Sequence, residues 1–461
     1  MSKRATILLL SVVLCVPATA QGWSQERYDS LLASITAPSF RADTTWIAAP
    51  GSKGAIKALR NSTYTEIINT EIEKCSERGG GVVALPAGVY NTAGITLRSN
   101  VDLHLCEGAT LKFSGDPQDY LPVVRTRWEG VDCMNYRPLI YACGQSNIAI
   151  TGNGEIDGSA SSENWWWMKG RKEFGYVKGM PSQGNTGRPL LMKYNDAGTP
   201  VGARIMGEGK NLRPQLINII ESENVLIQGV TLRNSPFWVV HPLLCRNFTM
   251  RGVTVCSFGP NNDGCDPESC NGVLIEDCTF FTGDDCIALK SGRNNDGRRC
   301  ATPSRGVIIR RCHFAAGHGG ITIGSEISGG FNGLYAEDCS FDGEDLQHVL
   351  RFKSSRVRGG EISNVNVRNF DVAVCSRSCI NVDMQYEPKE TSDKVYEPKV
   401  NGVNISGITV ESCRSFLEIK GTGADGCISG FRVSGCRISS CEEQFVFDQA
   451  EPEELTDIVF E

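Results

Sequence analysis

Apolar residues recur along most of the chain in a fixed arrangement. In the segment Asn271–Phe280, Val273 and Ile275 are two residues apart, and so are Cys278 and Phe280, but three residues separate the two pairs. A spacing of two is the period of a β-strand, so each segment predicts two short strands that are joined by a bend and face one interior. Seven further segments share this arrangement: Asn224–Leu232, Asn247–Val255, Arg305–Phe314, Asn332–Phe341, Asn364–Val372, Asn401–Val410 and Ser429–Ile438.

Equivalent positions of the eight segments recur at intervals of 23 to 38 residues. These positions are Val230, Val253, Cys278, Cys312, Cys339, Phe370, Ile408 and Cys436. Blades of a β-propeller would recur every ~40–45 residues, and leucine-rich repeats would show a helix and a leucine framework. Short strands with turns of variable length instead predict an all-β protein, a single-stranded right-handed parallel β-helix whose coils stack about 4.8 Å apart.

Two regions depart from the strand pattern. The segment Asn61–Arg78 has apolar residues at helical spacing and ends in three glycines, which stop helices. An open stack of coils exposes its core and unpaired strand edges, so we expect this helix to cap the N-terminal end, before early coils at Val82–Phe113 and Asn147–Ile156. Between about residues 159 and 214 the pattern lapses into an insertion, which is typical of a functional loop.

The first twenty residues have the organisation of a secretory signal peptide. Lys3 and Arg4 precede an apolar run, and Ala18-Thr19-Ala20 forms a small-x-small cleavage site. The run of about a dozen apolar residues is too short to cross a bilayer. We therefore predict that residues 1–20 are removed, that the protein is exported to the periplasm or the outside of the cell, and that residues 21–461 form one β-helix domain without a membrane span.

Composition excludes some classes of protein. With 40% hydrophobic and 21% charged residues the chain can form a packed core, and a net charge of −7 argues against a general nucleic-acid-binding protein. Four of the eight equivalent positions are cysteine, and we interpret them as small apolar core groups rather than disulfides or metal ligands. The better disulfide candidates are Cys375, Cys379, Cys413, Cys427 and Cys441.

Polar residues gather where the strands that follow the turns are aligned with one another. The aligned strands are Gly264–Ser269, Cys286–Ser291, Gly320–Ser325 and Val349–Ser354. This register brings six groups within about four coils, or ~15 Å: Asp263, Asp284, Asp285, His318, Arg351 and Lys353. Asp263 then lies directly above Asp285, and Arg351 and Lys353 both point outward on one sheet.

Each motif alone has an ordinary structural explanation, because Asn, Asp and Gly form turns and charged residues line solvated strands. Two stacked carboxylates repel each other, however, so Asp263 above Asp285 is costly unless the pair has a use. Hydrolysis of a glycosidic bond needs a carboxylic acid that protonates the leaving oxygen and a carboxylate that activates water. Repulsion raises at least one carboxyl pKa, which favours the acid form. Arg351 and Lys353 suit a sugar carboxylate, so the cluster predicts an acidic polysaccharide substrate.

At this point the chain resembles family 28 of the glycoside hydrolases, the polygalacturonases. The matching motifs are Asn261-Asn262-Asp263-Gly264-Cys265-Asp266, Gly283-Asp284-Asp285, Gly317-His318-Gly319 and Arg351-Phe352-Lys353. The resemblance implies an inverting hydrolase of α-1,4-linked galacturonate chains, which acts on homogalacturonan in plant cell walls without a metal or cofactor. Asn262, Gly283 and Phe352 stand where the family often has Thr, Gln and Ile, and none of these departures alters a proposed charged group.

The resemblance also assigns roles by matching position. Asp284 corresponds to the general acid, Asp263 and Asp285 to the pair that activates water, and His318 to a residue that holds or tunes the acid. The implied substrate-binding residues are Arg351 and Lys353 for the galacturonate carboxylate on the leaving-group side, Asn261 for hydrogen bonding, and Tyr386.

The insertion, with Asn211-Leu212-Arg213-Pro214, resembles loops of bacterial exo-acting members, which close one end of the groove. It predicts release of terminal units, and an endo-polygalacturonase or a rhamnogalacturonan-type hydrolase is the alternative. Two further hypotheses are a pectate lyase, since clustered aspartates can bind calcium, and a non-catalytic glycan-binding β-helix. We expect a monomer.

Overall fold

The computed structural model describes residues 22–60 and 62–461, so the predicted signal peptide at 1–20 lies outside the described residues. The α-helices of the described ranges are α1 (Gln25–Ser34), α2 (Lys53–Ala58), α3 (Tyr64–Glu77), α4 (Gly187–Ala197) and α5 (Asn294–Cys300). Short 3₁₀ helices occupy Pro117–Tyr120, Trp166–Lys169, Lys172–Phe174 and Val201–Ala203. In this part of the chain, no helix is both long and apolar enough to cross a bilayer.

Strands account for most of the remaining regular structure. In chain order they are β1 (Thr44–Trp46), β2 (Gly81–Leu85), β3 (Gly88–Thr92), β4 (Ile95–Thr96), β5 (Val101–Leu105), β6 (Ala109–Phe113), β7 (Val124–Trp128), β8 (Val131–Asn135), β9 (Ile140–Cys143), β10 (Ser146–Gly152), β11 (Glu155–Asp157), β12 (Ile217–Ile220), β13 (Glu223–Gln228), β14 (Thr231–Arg233), β15 (Val240–Leu243), β16 (Arg246–Arg251), β17 (Thr254–Ser257), β18 (Asn271–Glu276), β19 (Thr279–Thr282), β20 (Ile287–Leu289), β21 (Ser304–Arg310), β22 (His313–Ala316), β23 (Ile321–Ile323), β24 (Phe331–Phe341), β25 (Leu350–Lys353), β26 (Glu361–Asp383), β27 (Lys399–Lys420), β28 (Ile428–Asp448) and β29 (Glu454–Phe460).

Successive coils stack into three parallel sheets. Sheet A contains β1, β2, β5, β10, β13, β16, β18 and β21, and sheet B contains β3, β6, β11, β14, β17, β19 and β22. Sheet C contains β4, β9, β12, β15, β20, β23 and β25, with residues 265–268 bridging β15 and β20. The long strands β26, β27 and β28 pass through all three sheets. This architecture confirms the predicted right-handed parallel β-helix.

The repeat positions form the core of the stack. All eight of them, from Val230 to Cys436, are at most 1% exposed, and four of them are the cysteines interpreted as small apolar groups. The nineteen cysteines of the described residues are free thiols, so the disulfide prediction for the later cysteines is wrong. Cys375, Cys413 and Cys441 instead stack in register on β26, β27 and β28, where they fill equivalent places in successive coils.

The predicted capping helix corresponds to α3, which covers the N-terminal end of the stack. Thr63 caps it by accepting a hydrogen bond from the backbone N–H of Glu66, whose carboxylate in turn accepts one from the backbone N–H of Thr63. Its buried face includes Ile68 and Ile72, which pack on the first coils. The helix therefore shields the core that the first coil would otherwise expose.

Two excursions leave the stack on the side of sheet C. The antiparallel hairpin β7–β8 lies between β6 and β9, and the sequence pattern did not indicate it. The insertion lies between β11 and β12 and carries α4 and three 3₁₀ helices. Trp165 anchors the insertion, because it is fully buried and packs against Tyr120 and Tyr136. The indole N–H of Trp166 donates to the carbonyl oxygen of Ser235 at 2.9 Å.

Candidate active site

The predicted register of the polar motifs is confirmed on sheet C. Cys265 pairs with Ile287, Ile287 with Ile321, and Ile321 with Leu350. The turns from sheet B to sheet C therefore carry Asp263, Asp284 with Asp285, and His318 on three successive coils, and β25 follows with Arg351 and Lys353. Alternation along β25 turns Leu350 and Phe352 inward and Arg351 and Lys353 outward.

Asp263, Asp284 and Asp285 converge to one point. One carboxylate oxygen from each lies within 4.8 Å of the others. Asp263 is 3% exposed and Asp285 is 1% exposed, whereas Asp284 and His318 reach further into solvent. Because mutual repulsion and burial both penalise three such charges, the arrangement requires nearby cations.

Asp285 is neutralised from the side of β25. The ammonium of Lys353 donates to its Oδ2 at 2.5 Å, and the guanidinium of Arg351 lies 3.7 Å from its Oδ1. Burial alone would raise the pKa of Asp285, but these cations, Lys353 foremost, hold it below its ordinary value. A side chain at Gly319 would place its Cβ 2.9 Å from Oδ1 of Asp285, so glycine avoids a close contact with that oxygen.

The pKa of Asp263 is shifted in the opposite direction from that of Asp285. Burial, followed by the charges of Asp266 and Asp284, raises its pKa well above the ordinary value, and the ammonium of Lys290 at 3.7 Å opposes this only in part. The same ammonium lies 3.0 Å from Oε2 of Glu326. Oδ1 of Asp263 and Oδ1 of Asp285 are both buried without a hydrogen-bond partner among the described residues.

A hydrogen bond with His318 orients Asp284 and lowers its pKa. Nδ1 of His318 lies 2.8 Å from Oδ1 of Asp284, and its backbone N–H donates to the backbone carbonyl of Asp284 at 2.9 Å. Burial would raise the pKa of Asp284, but the hydrogen bond with His318 and nearby lysines lower it below the ordinary value. The same hydrogen bond raises the pKa of His318, against the effect of burial. The raised carboxyl pKa expected from repulsion thus belongs to Asp263 and not to Asp284.

The clustered aspartates have the donor atoms of a cation site, but two ammonium groups already lie among them. The Lys353 ammonium binds Asp285, and the Lys290 ammonium lies near both Asp263 and Asp266, 3.6 Å from the latter. A calcium ion at the aspartates would lie beside these two ammonium groups, which would repel it.

The substrate-binding candidates lie on the other side of Asp285. The aromatic ring of Tyr386 is 5.2 Å from the Lys353 ammonium and 5.7 Å from the Arg351 guanidinium carbon. Lys353 is 5% exposed and engaged by Asp285, whereas Arg351 is partly exposed and its buried Nε has no hydrogen-bond partner among the described residues. Arg351 is therefore the cation that is freer to receive a sugar carboxylate.

Asn261 connects the site to the insertion. Its Oδ1 accepts hydrogen bonds from Nζ of Lys169 at 2.7 Å and from the guanidinium of Arg213 at 2.9 Å. Arg213 is fully buried and also donates to the carbonyl oxygens of Pro236 and Pro260 and to Oε1 of Gln183. Burial lowers the pKa of Arg213 to about 9. This arginine fixes both the insertion and the turn that carries Asp263.

A cavity of about 400 Å³ lies over the aspartates. Its walls include Arg188 from the insertion, Glu129 from the tip of the β7–β8 hairpin, and Arg293 and Glu387 from later coils. Arg188 donates to Oε2 of Glu129 at 2.8 Å, which joins two of these walls. The described chain therefore encloses the aspartates from the side of the early coils.

Several of these residues were not identified from the sequence. The outward position of Lys290 could have been predicted from the sequence, because the alternation that turns Arg351 and Lys353 outward also turns Lys290 outward. The sequence carried no such signal for Lys169 and Glu129. They lie in the insertion and the β7–β8 hairpin, which interrupt the repeat, so they cannot be aligned with residues of neighbouring coils.

The comparisons with known proteins agree with this geometry. The model of the family described as glycosyl hydrolases family 28 matches residues 201–447. A probable polygalacturonase of Vitis vinifera is 27% identical over 92% of this chain and 81% of its own length. An exo-poly-alpha-D-galacturonosidase of Dickeya chrysanthemi is 25% identical over 86% of this chain and 68% of its own length.

Among solved structures, a hyperthermoactive exopolygalacturonase from Thermotoga maritima superposes with a TM-score of 0.86. It is 34% identical, with 94% of this chain and 95% of that chain covered. The chain therefore belongs to family 28 of the glycosyl hydrolases and is a glycoside hydrolase.

Proposed function

We propose that this glycoside hydrolase cleaves α-1,4-galacturonosidic bonds in polygalacturonate and pectin and releases units from the chain end. Its similarity to polygalacturonases and exopolygalacturonases supports this substrate. Asp263, Asp284 and Asp285 converge between buried cations, in a groove that is closed on one side. This convergence is the observation that carries the conclusion.

The shape of the groove favours action at the chain end. On the side of the early coils, the insertion and the hairpin enclose the cavity over the aspartates. On the side of the later coils, a further cavity of about 250 Å³ continues past Arg351 along sheet C, lined by Arg377, Asn381 and Arg414. This cavity gives a polymer a path on the side of Arg351, which is the leaving-group side. The unit released is therefore the one at the non-reducing end.

The proton for the leaving oxygen comes from the pair formed by Asp284 and His318. In the free enzyme the proton resides on His318, because the hydrogen bond lowers the pKa of Asp284 and raises that of His318. Binding of a uronate chain expels water and adds negative charge, both of which favour the protonated carboxyl. The proton then moves to Asp284 and from there to the glycosidic oxygen as the bond to the anomeric carbon breaks.

The attacking water is held by Asp263 and Asp285. Both carboxylates line the cavity, and together they can accept both hydrogens of the water and direct a lone pair at the anomeric carbon. Asp263 in its carboxylate form takes the proton that the water releases, because its raised pKa makes it a stronger base than Asp285. The carboxylates lie within 4.8 Å, closer than the ~6.5–9.5 Å common in inverting glycosidases. Since Lys353 and Lys290 hold the two carboxylates against the protein, we propose that they act on water and not as nucleophiles.

The pH dependence should reveal the Asp284–His318 pair. His318 has a raised pKa, so the pair keeps its proton at pH values up to and above 6.5, the ordinary histidine value, and loses it as the pH rises further. The alkaline limb of kcat/KM should therefore lie above pH 6.5. In His318→Gln the carboxyl alone must hold the proton, so the limb should move to lower pH. His313→Gln, which changes a histidine paired with Asp342, is the control. An alkaline limb that stays in place in His318→Gln would contradict this role.

The carboxylate-binding role of Arg351 can be tested by charge reversal. Arg351→Glu should lower kcat/KM on polygalacturonate by about 10- to 100-fold, because it replaces a charge-assisted hydrogen bond by repulsion. The loss should be smaller on highly methyl-esterified pectin, whose carboxyl groups are neutral. Initial rates on the two polymers measure the difference. An identical loss on both polymers would show that Arg351 does not bind the carboxylate.

Product chemistry separates hydrolysis from the alternatives. Hydrolysis leaves saturated ends and is indifferent to chelators, whereas a lyase leaves ultraviolet-absorbing unsaturated ends and stops when calcium is removed. A glycan-binding protein without catalysis gives neither product. An endo-acting relative would release oligomers first, and a rhamnogalacturonan-type hydrolase would leave polygalacturonate intact.

A plant cell-wall polymer cannot enter a cell intact, so we propose that the enzyme is exported. The signal peptide predicted at 1–20, the periplasmic or extracellular location and the monomeric state remain predictions.

A further inference from the structure

The described residues of the insertion add an excess of positive charge to the active-site cavity. Of its described residues, those that line the cavity are three cations, Lys169, Arg171 and Arg188, and the amide of Gln183. The insertion thus brings positive charge, and no carboxylate, to the enclosed end of the groove.

Lys169 differs from the other two cations in its partners. Arg188 is paired with Glu129 at 2.8 Å, and exposed Arg171 lies 3.7 Å from Glu173. The Lys169 ammonium donates to Oδ1 of Asn261, and no carboxylate oxygen of the described residues lies within 4.0 Å of it. Burial lowers the pKa of Lys169, and the charges of Glu129 and Asp284 provide only partial compensation for it. A bound carboxylate would supply that compensation.

The position of Lys169 complements that of the cations on β25. Lys169 contacts the turn that carries Asp263, whereas Arg351 and Lys353 follow three coils later, about 14 Å along the stack. The catalytic aspartates lie between the two positive groups. Two galacturonate units that flank the scissile bond would each find one cation for their carboxylate.

We propose that Lys169 recognises the carboxylate of the terminal galacturonate on the non-reducing side of the scissile bond. This inference rests on the proposed function and gives the insertion a role in specificity besides blocking the groove. Lys169 selects chains that end in a uronate, and Arg213 positions it by fixing Asn261 and Gln183. A purely structural Lys169 would support Asn261 but would not distinguish an acidic terminal unit from a neutral one.

The test compares two trisaccharides, trigalacturonate and an analogue whose non-reducing terminal unit is galactose. The wild-type enzyme should prefer the acidic trisaccharide by about 10- to 100-fold in kcat/KM, the range expected for a charged hydrogen bond. Lys169→Gln should lose most of this preference, and Lys169→Arg should keep most of it. Lys172→Gln is the matched control, since Lys172 is an exposed lysine of the insertion that does not line the cavity. The ratio of the two rates is insensitive to a general loss of active enzyme.

Each outcome decides between the alternatives. A wild-type preference that survives in Lys169→Gln, or a wild-type enzyme that hydrolyses both trisaccharides equally, overturns the role of Lys169 while leaving polygalacturonate hydrolysis intact. A wild-type enzyme that does not hydrolyse polygalacturonate overturns the proposed function itself. If Lys169→Gln is inactive on both substrates, calorimetry with free galacturonate and galactose replaces the rates. Retained selectivity for galacturonate in that variant would again refute the proposal.

Discussion

Asp284→Asn should lower kcat on polygalacturonate by about 10²–10⁴-fold, the usual contribution of a general acid. Asparagine has the shape of the carboxyl group and can still accept the hydrogen bond from His318, but it has no proton to transfer. Because the acid acts only in the transition state, KM should change little. Initial rates of reducing-end formation over a range of polymer concentrations give both constants.

Asp371→Asn is the matched control for this substitution. Asp371 is an exposed residue of β26 on sheet B, away from the aspartate cluster, so the same chemical change there should leave kcat unchanged. If Asp284→Asn folded normally and retained the wild-type kcat, Asp284 would not be the acid.

Arg213→Met should reduce both stability and activity. The buried guanidinium holds two carbonyl oxygens, Gln183 and Asn261, and methionine would leave these acceptors without their donor. Each unpaired buried group costs about 1–3 kcal/mol, so the thermal unfolding midpoint should fall clearly. The turn that carries Asp263 would also lose its support, and a displacement of about 1 Å at a catalytic group can cost about 10²-fold in rate.

Arg305→Met controls for the loss of a charge, because Arg305 is exposed on β21. Thermal unfolding and kcat/KM should both stay at wild-type values in that variant. Wild-type values of both in Arg213→Met would contradict the role assigned to Arg213, and a stability loss with unchanged kcat/KM would restrict that role to folding.

The fold and the aspartate cluster were predictable because both depend on register. Inward apolar residues fix how one coil lies on the next, and a slip of one residue would turn every apolar side chain outward. Once Cys286–Ser291 was aligned with Gly320–Ser325, the approach of Asp284 and His318, which lie 34 residues apart, followed directly. The alignment of Val349–Ser354 placed Arg351 and Lys353 beside Asp285 in the same way.

The enclosing parts of the site could not be predicted from the same pattern. Lys169, Arg213 and Glu129 lie in excursions, whose paths depend on long-range packing such as that of Trp165 against Tyr120. Nor does register decide which carboxyl holds a proton. Repulsion among the aspartates was foreseeable, but the pKa of Asp284 is lowered through the geometry of its hydrogen bond with His318.

Time-resolved proton NMR of polygalacturonate hydrolysis tests the central claim most directly, because it reports the size and the anomeric form of the first product together. We expect free galacturonate to appear first, as the β-anomer, while the polymer shortens slowly. Early release of oligomers would contradict action at the chain end, an initial α-anomer would contradict direct attack by water, and unsaturated products would contradict hydrolysis by the three aspartates.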